Sequence, residues 1–177
     1  MKSEAEWKAD HEKLQAIMRA NRRNEKYYLF LDFDGVINVF YLEGTPEYEE
    51  VSKRASFDFS DHHCVGRLDR LCHDYPLHIV ISSSWRFSGP QYCEDYLRLG
   101  GLSEDIHVED VTNIVSMQPR EEDITEYLFA HPDFSGFLIL DDMNMPHLAD
   151  YHVKTNPLQG YTEERDALAR KIIQNFM

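Results

Sequence analysis

Long apolar runs are missing from this chain of 177 residues. None approaches the ~20 residues that a membrane-spanning helix needs, so no membrane partner is expected. The opening "MKSEAEWKADHEKL" also lacks the apolar core of a secretory signal. A soluble, cytoplasmic protein is therefore the expectation. Cysteine is scarce: Cys64, Cys72 and Cys93 form no even-numbered disulfide framework, which agrees with a reducing compartment. Positive charge is scarce as well, with Lys+Arg 18 against Asp+Glu 32 and a net charge of −14. Such a surface repels phosphate backbones at long range and argues against general nucleic-acid binding. A local basic pocket is still allowed. The largest basic cluster, "RANRRNEK" at 19–26, serves as one or is simply a solvated helix end. Internal repeats and low-complexity linkers are absent too.

The hydrophobic share of 42% and charged share of 28% are those of a globular protein, and the length suits one domain with a single core. Residues 3–22 read as a helix with Trp7, Leu14, Ile17 and Met18 on one face. Its organisation is expected to be an N-terminal helix, 1–24, packed on or beside a catalytic domain of 25–177. Strands are expected at 27–33, 77–82 and 137–142, with a short fourth at 151–155. Between them fall helices starting near Asp61, over "QYCEDYLRLGG", after Pro119 and after the capping Thr162. In the last, Leu168 and Ile172 are expected to face inward. Residues 38–60, with turn signals at Gly44 and Pro46, read as a short hairpin or flap. Short apolar strands alternating with helices imply a mostly parallel central sheet covered on both faces, a Rossmann-like α/β three-layer sandwich.

The stretch "YYLFLDFDGVINVF" poses the chemical question, because two carboxylates, Asp32 and Asp34, interrupt an otherwise apolar run. Burying a charge costs several kcal/mol unless it is paired or coordinated. Two further strands end in polar chemistry, at residues 82–84 (Ser-Ser-Ser) and at Asp141/Asp142. Ligands of parallel sheets sit beyond the carboxyl ends of the strands. Converging carboxylates there make a hard-oxygen site suited to Mg²⁺, which keeps several waters and takes substrate phosphate oxygens. An ionised carboxylate can attack phosphorus in line, its neighbour can protonate the departing oxygen, and a serine hydroxyl can hold a phosphoryl oxygen.

"FLDFDGVIN", "HIVISSSWR" and "FLILDDMN", in that order, resemble the first, second and fourth motifs of the haloacid dehalogenase (HAD) superfamily. More particularly, the chain resembles the small HAD domains described with "Swiss Army knife" RNA-repair proteins. The resemblance implies a HAD-like fold and a Mg²⁺-dependent phosphatase working through a covalent aspartyl-phosphate. Carried over, it makes Asp32 the nucleophile and Asp34 the general acid/base, with the Asp34 backbone carbonyl also on the metal. Ser82 and Ser83 bind the phosphoryl group, and Asp32, Asp34, Asp141 and Asp142 form the metal site. The third motif departs from the superfamily's usual lysine. Arg120 is the candidate cation there, with Arg86 and Lys53 left open.

Each of these residues has a plainer reading. Acids at a strand end can cap the next turn, a serine triplet can be a polar turn, and Arg120 can be a helix-start ion pair. Trp85 reads as packing. "DHHC" at 61–64, with Cys72 and His73 nearby, lacks the paired ligand elements of a zinc site. Segments 38–76 and 87–118 leave room for a minimal cap or none, so the site should be open. Nucleotide, nucleic-acid end and phosphoprotein all stay open as the phosphorylated substrate. The rival class is a catalytically idle binding or regulatory domain, and a third reading makes the first helix a docking element with Trp7 exposed.

Overall fold

Alternate residues of one short strand divide the core in two. The computed structural model describes residues 2–54, 58–115 and 117–177. In it the strand β1 (Tyr27–Leu31) is buried at every position. Side chains alternate across a strand, so Leu29 and Leu31 enter one apolar cluster while Tyr28 and Phe30 enter another. A strand buried on both faces belongs at the centre of a parallel sheet. β1 lies there, pairing in parallel with β2 (Leu77–Ile81) on one side and β4 (Gly136–Asp141) on the other. The edges are β3 (Val108–Val111) beside β2 and β5 (His152–Lys154) beside β4. The sheet has five strands in the order β3-β2-β1-β4-β5, all parallel.

Helices cover both faces. On one, α3 (His62–Asp74), α4 (Pro90–Leu99) and α6 (Glu163–Gln174) supply Leu68, Leu97 and Ile173 to the first cluster. On the other, α1 (Glu4–Ala20) and α5 (Arg120–Ala130) supply Leu14, Ile124 and Leu128 to the second. α1 is held by a Ser3–Glu6 capping box and by the burial of Trp7 and Leu14. The Trp7 ring stacks on His147 with centroids 4.5 Å apart and planes 6° from parallel, so the stripe on α1 is not an exposed docking face.

Several expectations are corrected. The described residues of 38–60 form no hairpin: Thr45 caps a short helix, α2 (Pro46–Val51), with Pro46 at its start and Glu47 and Glu49 in its first turn. No strand occurs among the described residues of that segment. β1 stops at Leu31 rather than residue 33, because the Phe33 carbonyl turns back to accept from the amides of Val36, Ile37 and Asn38. β3 was not expected, and its sequence "VEDV" carries two acids that suit a half-exposed edge. In α6 the inner face is Asp166, Ala169, Ile172 and Ile173, whereas Leu168 points outward and is 37% exposed. Asp166 sets that phase by accepting the buried Tyr161 hydroxyl at 2.8 Å.

Truncating the buried α1 anchor, Leu14→Ala, should lower unfolding free energy by about 2–5 kcal/mol. Lys8→Ala, on the exposed side of the same helix, should change it by no more than about 0.5 kcal/mol in the same urea titration.

Candidate active site

Register brings the polar strand ends together. Leu31 pairs with Ile81 and with Leu140, so the next residues, Asp32, Ser82 and Asp141, stand at one level on three adjacent strands. The ladder continues through them: the Asp32 amide donates to the Leu140 carbonyl at 3.0 Å and the Ser82 amide to the Leu31 carbonyl at 3.1 Å. The chain winds outward from β1 through β2 to β3 and resumes at β4 on the opposite side. That switch between β1 and β4 is where such sheets open a crevice.

Asp32 and Asp141 are buried, 4% and 0% exposed. Arg120, projected from the first residue of α5, lies between them, with Nη1 2.9 Å from Asp32 Oδ2 and 2.5 Å from Asp141 Oδ2. The second Asp141 oxygen accepts the Met143 amide at 2.8 Å. Asp142 completes the group: one carboxylate oxygen from each of Asp32, Asp141 and Asp142 lies within 4.8 Å of the others. Asp142 reaches this point because residue 35 is glycine. At a φ of +78° a Cβ there would sit 2.7 Å from Asp142 Oδ2, and the Thr155 hydroxyl clamps the turn by donating to the Gly35 carbonyl at 2.7 Å.

Burial pushes the Asp32 carboxyl up to about 6, reinforced by the Asp141 charge and opposed by the Arg120 guanidinium and the Ser83 hydroxyl. Burial and Asp141 also raise Asp142. Three carboxylates against one guanidinium leave a formal −3 + 1 = −2. An all-oxygen set with that excess suits a hard divalent cation.

The flanking groups divide by function. Ser82 Oγ is fully buried and has no hydrogen-bond partner among the described residues, which is costly for a hydroxyl unless a ligand supplies one. Ser83 approaches Asp32 and accepts the Trp85 amide at 3.3 Å. Of the three cations left open by sequence, Arg120 reaches the acids. Arg86 instead donates to the Ser82 and Ser83 carbonyls at 3.3 and 3.1 Å and faces Asp123 at 3.6 Å, so it braces the serine turn. Lys53 is exposed and pairs with Glu49 at 3.7 Å.

Asp34 stands apart from the side-chain cluster. The Trp85 indole N–H donates to one of its oxygens at 3.1 Å and the Asn38 amide to the other at 2.9 Å. Asn38 is itself oriented by the Tyr96 hydroxyl, which donates to it at 2.7 Å. Sequence reasoning missed this support. Trp85 does pack, with its ring 5.3 Å from Phe33 and 4.5 Å from Tyr96 between centroids, yet its N–H also holds an acid. Its position directly after the serines, and that of Asn38 four residues after Asp34, were the available signals.

Two other sequence candidates fall elsewhere. The basic run 19–26 leads into the amino end of β1, opposite the acids, where Lys26 pairs with Asp133 at 3.0 Å and Glu109 at 3.6 Å. It is therefore no phosphate pocket for this site. Burial pushes the Cys64 and Cys72 thiols up to about 12. Among the described residues, the grouping of acids, histidines or cysteines able to hold a metal is the three-acid one.

With this geometry the chain can be placed. Residues 28–165 match the model of the HAD domain in Swiss Army Knife RNA repair proteins, and the chain belongs to that family. No curated protein and no solved structure matches it.

If Arg120 neutralises the buried acids, Arg120→Met should cost about 3–5 kcal/mol of unfolding free energy in metal-free protein. Lys53→Met should leave it within about 0.5 kcal/mol.

Proposed function

We propose that the chain is a phosphoric monoester hydrolase that works through an aspartyl-phosphate on Asp32, with catalysis assigned to residues 25–177 and α1 as a packed support. The observation carrying this reading is the arrangement around Asp32. A buried carboxylate faces a guanidinium and two further acids, beside a buried hydroxyl with no partner among the described residues.

Asp32 attacks phosphorus in line as the bond to the leaving oxygen breaks. Asp34, carrying a proton, delivers it to that oxygen, and the product alcohol departs. Asp34, now ionised, takes a proton from water. The water oxygen bonds to phosphorus and the bond to Asp32 breaks, regenerating the carboxylate and releasing inorganic phosphate. Trp85 and Asn38 hold Asp34 in place while each of its oxygens keeps a lone pair for the proton. Ser82 donates to a phosphoryl oxygen, Ser83 steadies Asp32, and Arg120 keeps Asp32 ionised and offsets the charge of the transferring group. Asp32, Asp141 and Asp142, with the Asp34 carbonyl, would hold Mg²⁺, which supplies charge neutralisation at the phosphoryl oxygens. A second reading, a phosphorylated nucleic-acid end as the ester, is supported by the RNA-repair description of the family.

Asp32→Asn should abolish phosphate release from phenyl phosphate while the protein still unfolds cooperatively on heating; retained turnover would refute the nucleophile. Chelation of divalent metal should silence phosphate release, and added Mg²⁺ should restore it. Undiminished hydrolysis in excess chelator would remove the metal from the scheme.

A further inference from the structure

On the Asp34 side of the acids the surface opens into a pocket of about 720 Å³, within the range of roughly 300–1,000 Å³ of small-molecule sites. One wall is Asp34, Asn38 and Trp85. The other is built by the segment around α2, with Phe40, Tyr48 and Phe59. These rings are 51%, 37% and 56% exposed, and several large apolar side chains left in water around one opening mark a binding surface. Trp85 is locked by its bond to Asp34 and its contacts with Phe33 and Tyr96, so it presents a preset face.

We propose that this pocket receives the leaving group of the substrate and selects one that carries a flat aromatic ring. The proposal rests on the phosphatase reading, and it follows from where the proton donor stands. Asp34 must touch the ester oxygen, so whatever that oxygen carries extends past Asp34 into the ring-lined space. Aromatic walls stack flat rings regardless of their substituents. The charges of the pocket favour a neutral group. Arg54, the cation in its lining, is committed to Glu50 at 2.8 Å and to the Ser60 carbonyl, while Asp58 adds negative charge. A leaving group bearing further phosphates therefore fits poorly. The ring can sit directly on the ester oxygen, as in an aryl phosphate, or one sugar away, as in a nucleoside monophosphate.

The test separates binding from turnover. Calorimetry on the Asp32→Asn protein with Mg²⁺ compares phenyl phosphate, adenosine 3′-monophosphate and ring-free glycerol 3-phosphate. At least one ring-bearing ester should bind about tenfold or more tightly than glycerol 3-phosphate. Which of the two does so identifies the source of the ring. Adding Phe59→Ala or Tyr48→Ala, both at exposed positions, should shrink that ratio several-fold. Equal affinity for all three esters, or a ratio untouched by both ring deletions, overturns the pocket. In the native protein, the kcat/KM ratio of ring-bearing over ring-free ester should show the same preference. A ring preference in binding with no turnover of any ester upholds the pocket while removing the hydrolytic reading.

Discussion

A guanidinium set between two buried carboxylates is what allows this sheet to end in acids. Asp32 and Asp141 lie on neighbouring strands in a region almost closed to water. Burial and the neighbouring Asp141 charge both push Asp32 toward protonation. Arg120 offsets that tendency from the first turn of a helix belonging to the opposite layer. The fold contributes through its connectivity. α5 leads into β4, so the residue opening that helix and the residue ending that strand flank one crevice. Arg120 thus supplies the positive charge that both buried carboxylates face.

The strand ends were legible because burial and charge conflict there. Apolar pentamers such as "YYLFL" and "LHIVI" have one natural home, the middle of a parallel sheet, and acids or serines abutting them need a chemical reason. The all-parallel order with its switch beside β1 agrees with that reading. What escaped was set by long-range contacts. "VEDV" has too little apolar surface to announce a strand and becomes one because β2 offers it an unpaired edge. Leu168 belongs to the right helix but the wrong face, since the Asp166–Tyr161 bond and not the leucine sets the rotation. The short helix α2 hid in a segment whose turn residues suggested a hairpin.

Within the site, the acids and Arg120 could be picked from motifs, whereas the bracing of Asp34 could not. Trp85 is a packing residue by every local criterion, and only the tertiary structure aims its N–H at a carboxylate. The connection runs further. The Phe59 amide donates to the Tyr96 hydroxyl at 3.2 Å, Tyr96 donates to Asn38, and Asn38 donates to Asp34. A backbone group of the surface segment is thus joined through two side chains, Tyr96 and Asn38, to Asp34.

The acids owe their placement to main-chain register, while the exposed rings hang from a short excursion between β1 and α3. These two parts answer to different constraints. Exchange of Phe40, Tyr48 or Phe59 leaves strand pairing untouched, so the lining of the pocket can drift across generations without dismantling the acid cluster. A scaffold divided in this way can change the shape and chemistry of its rim while the sheet that carries the acids stays as it is.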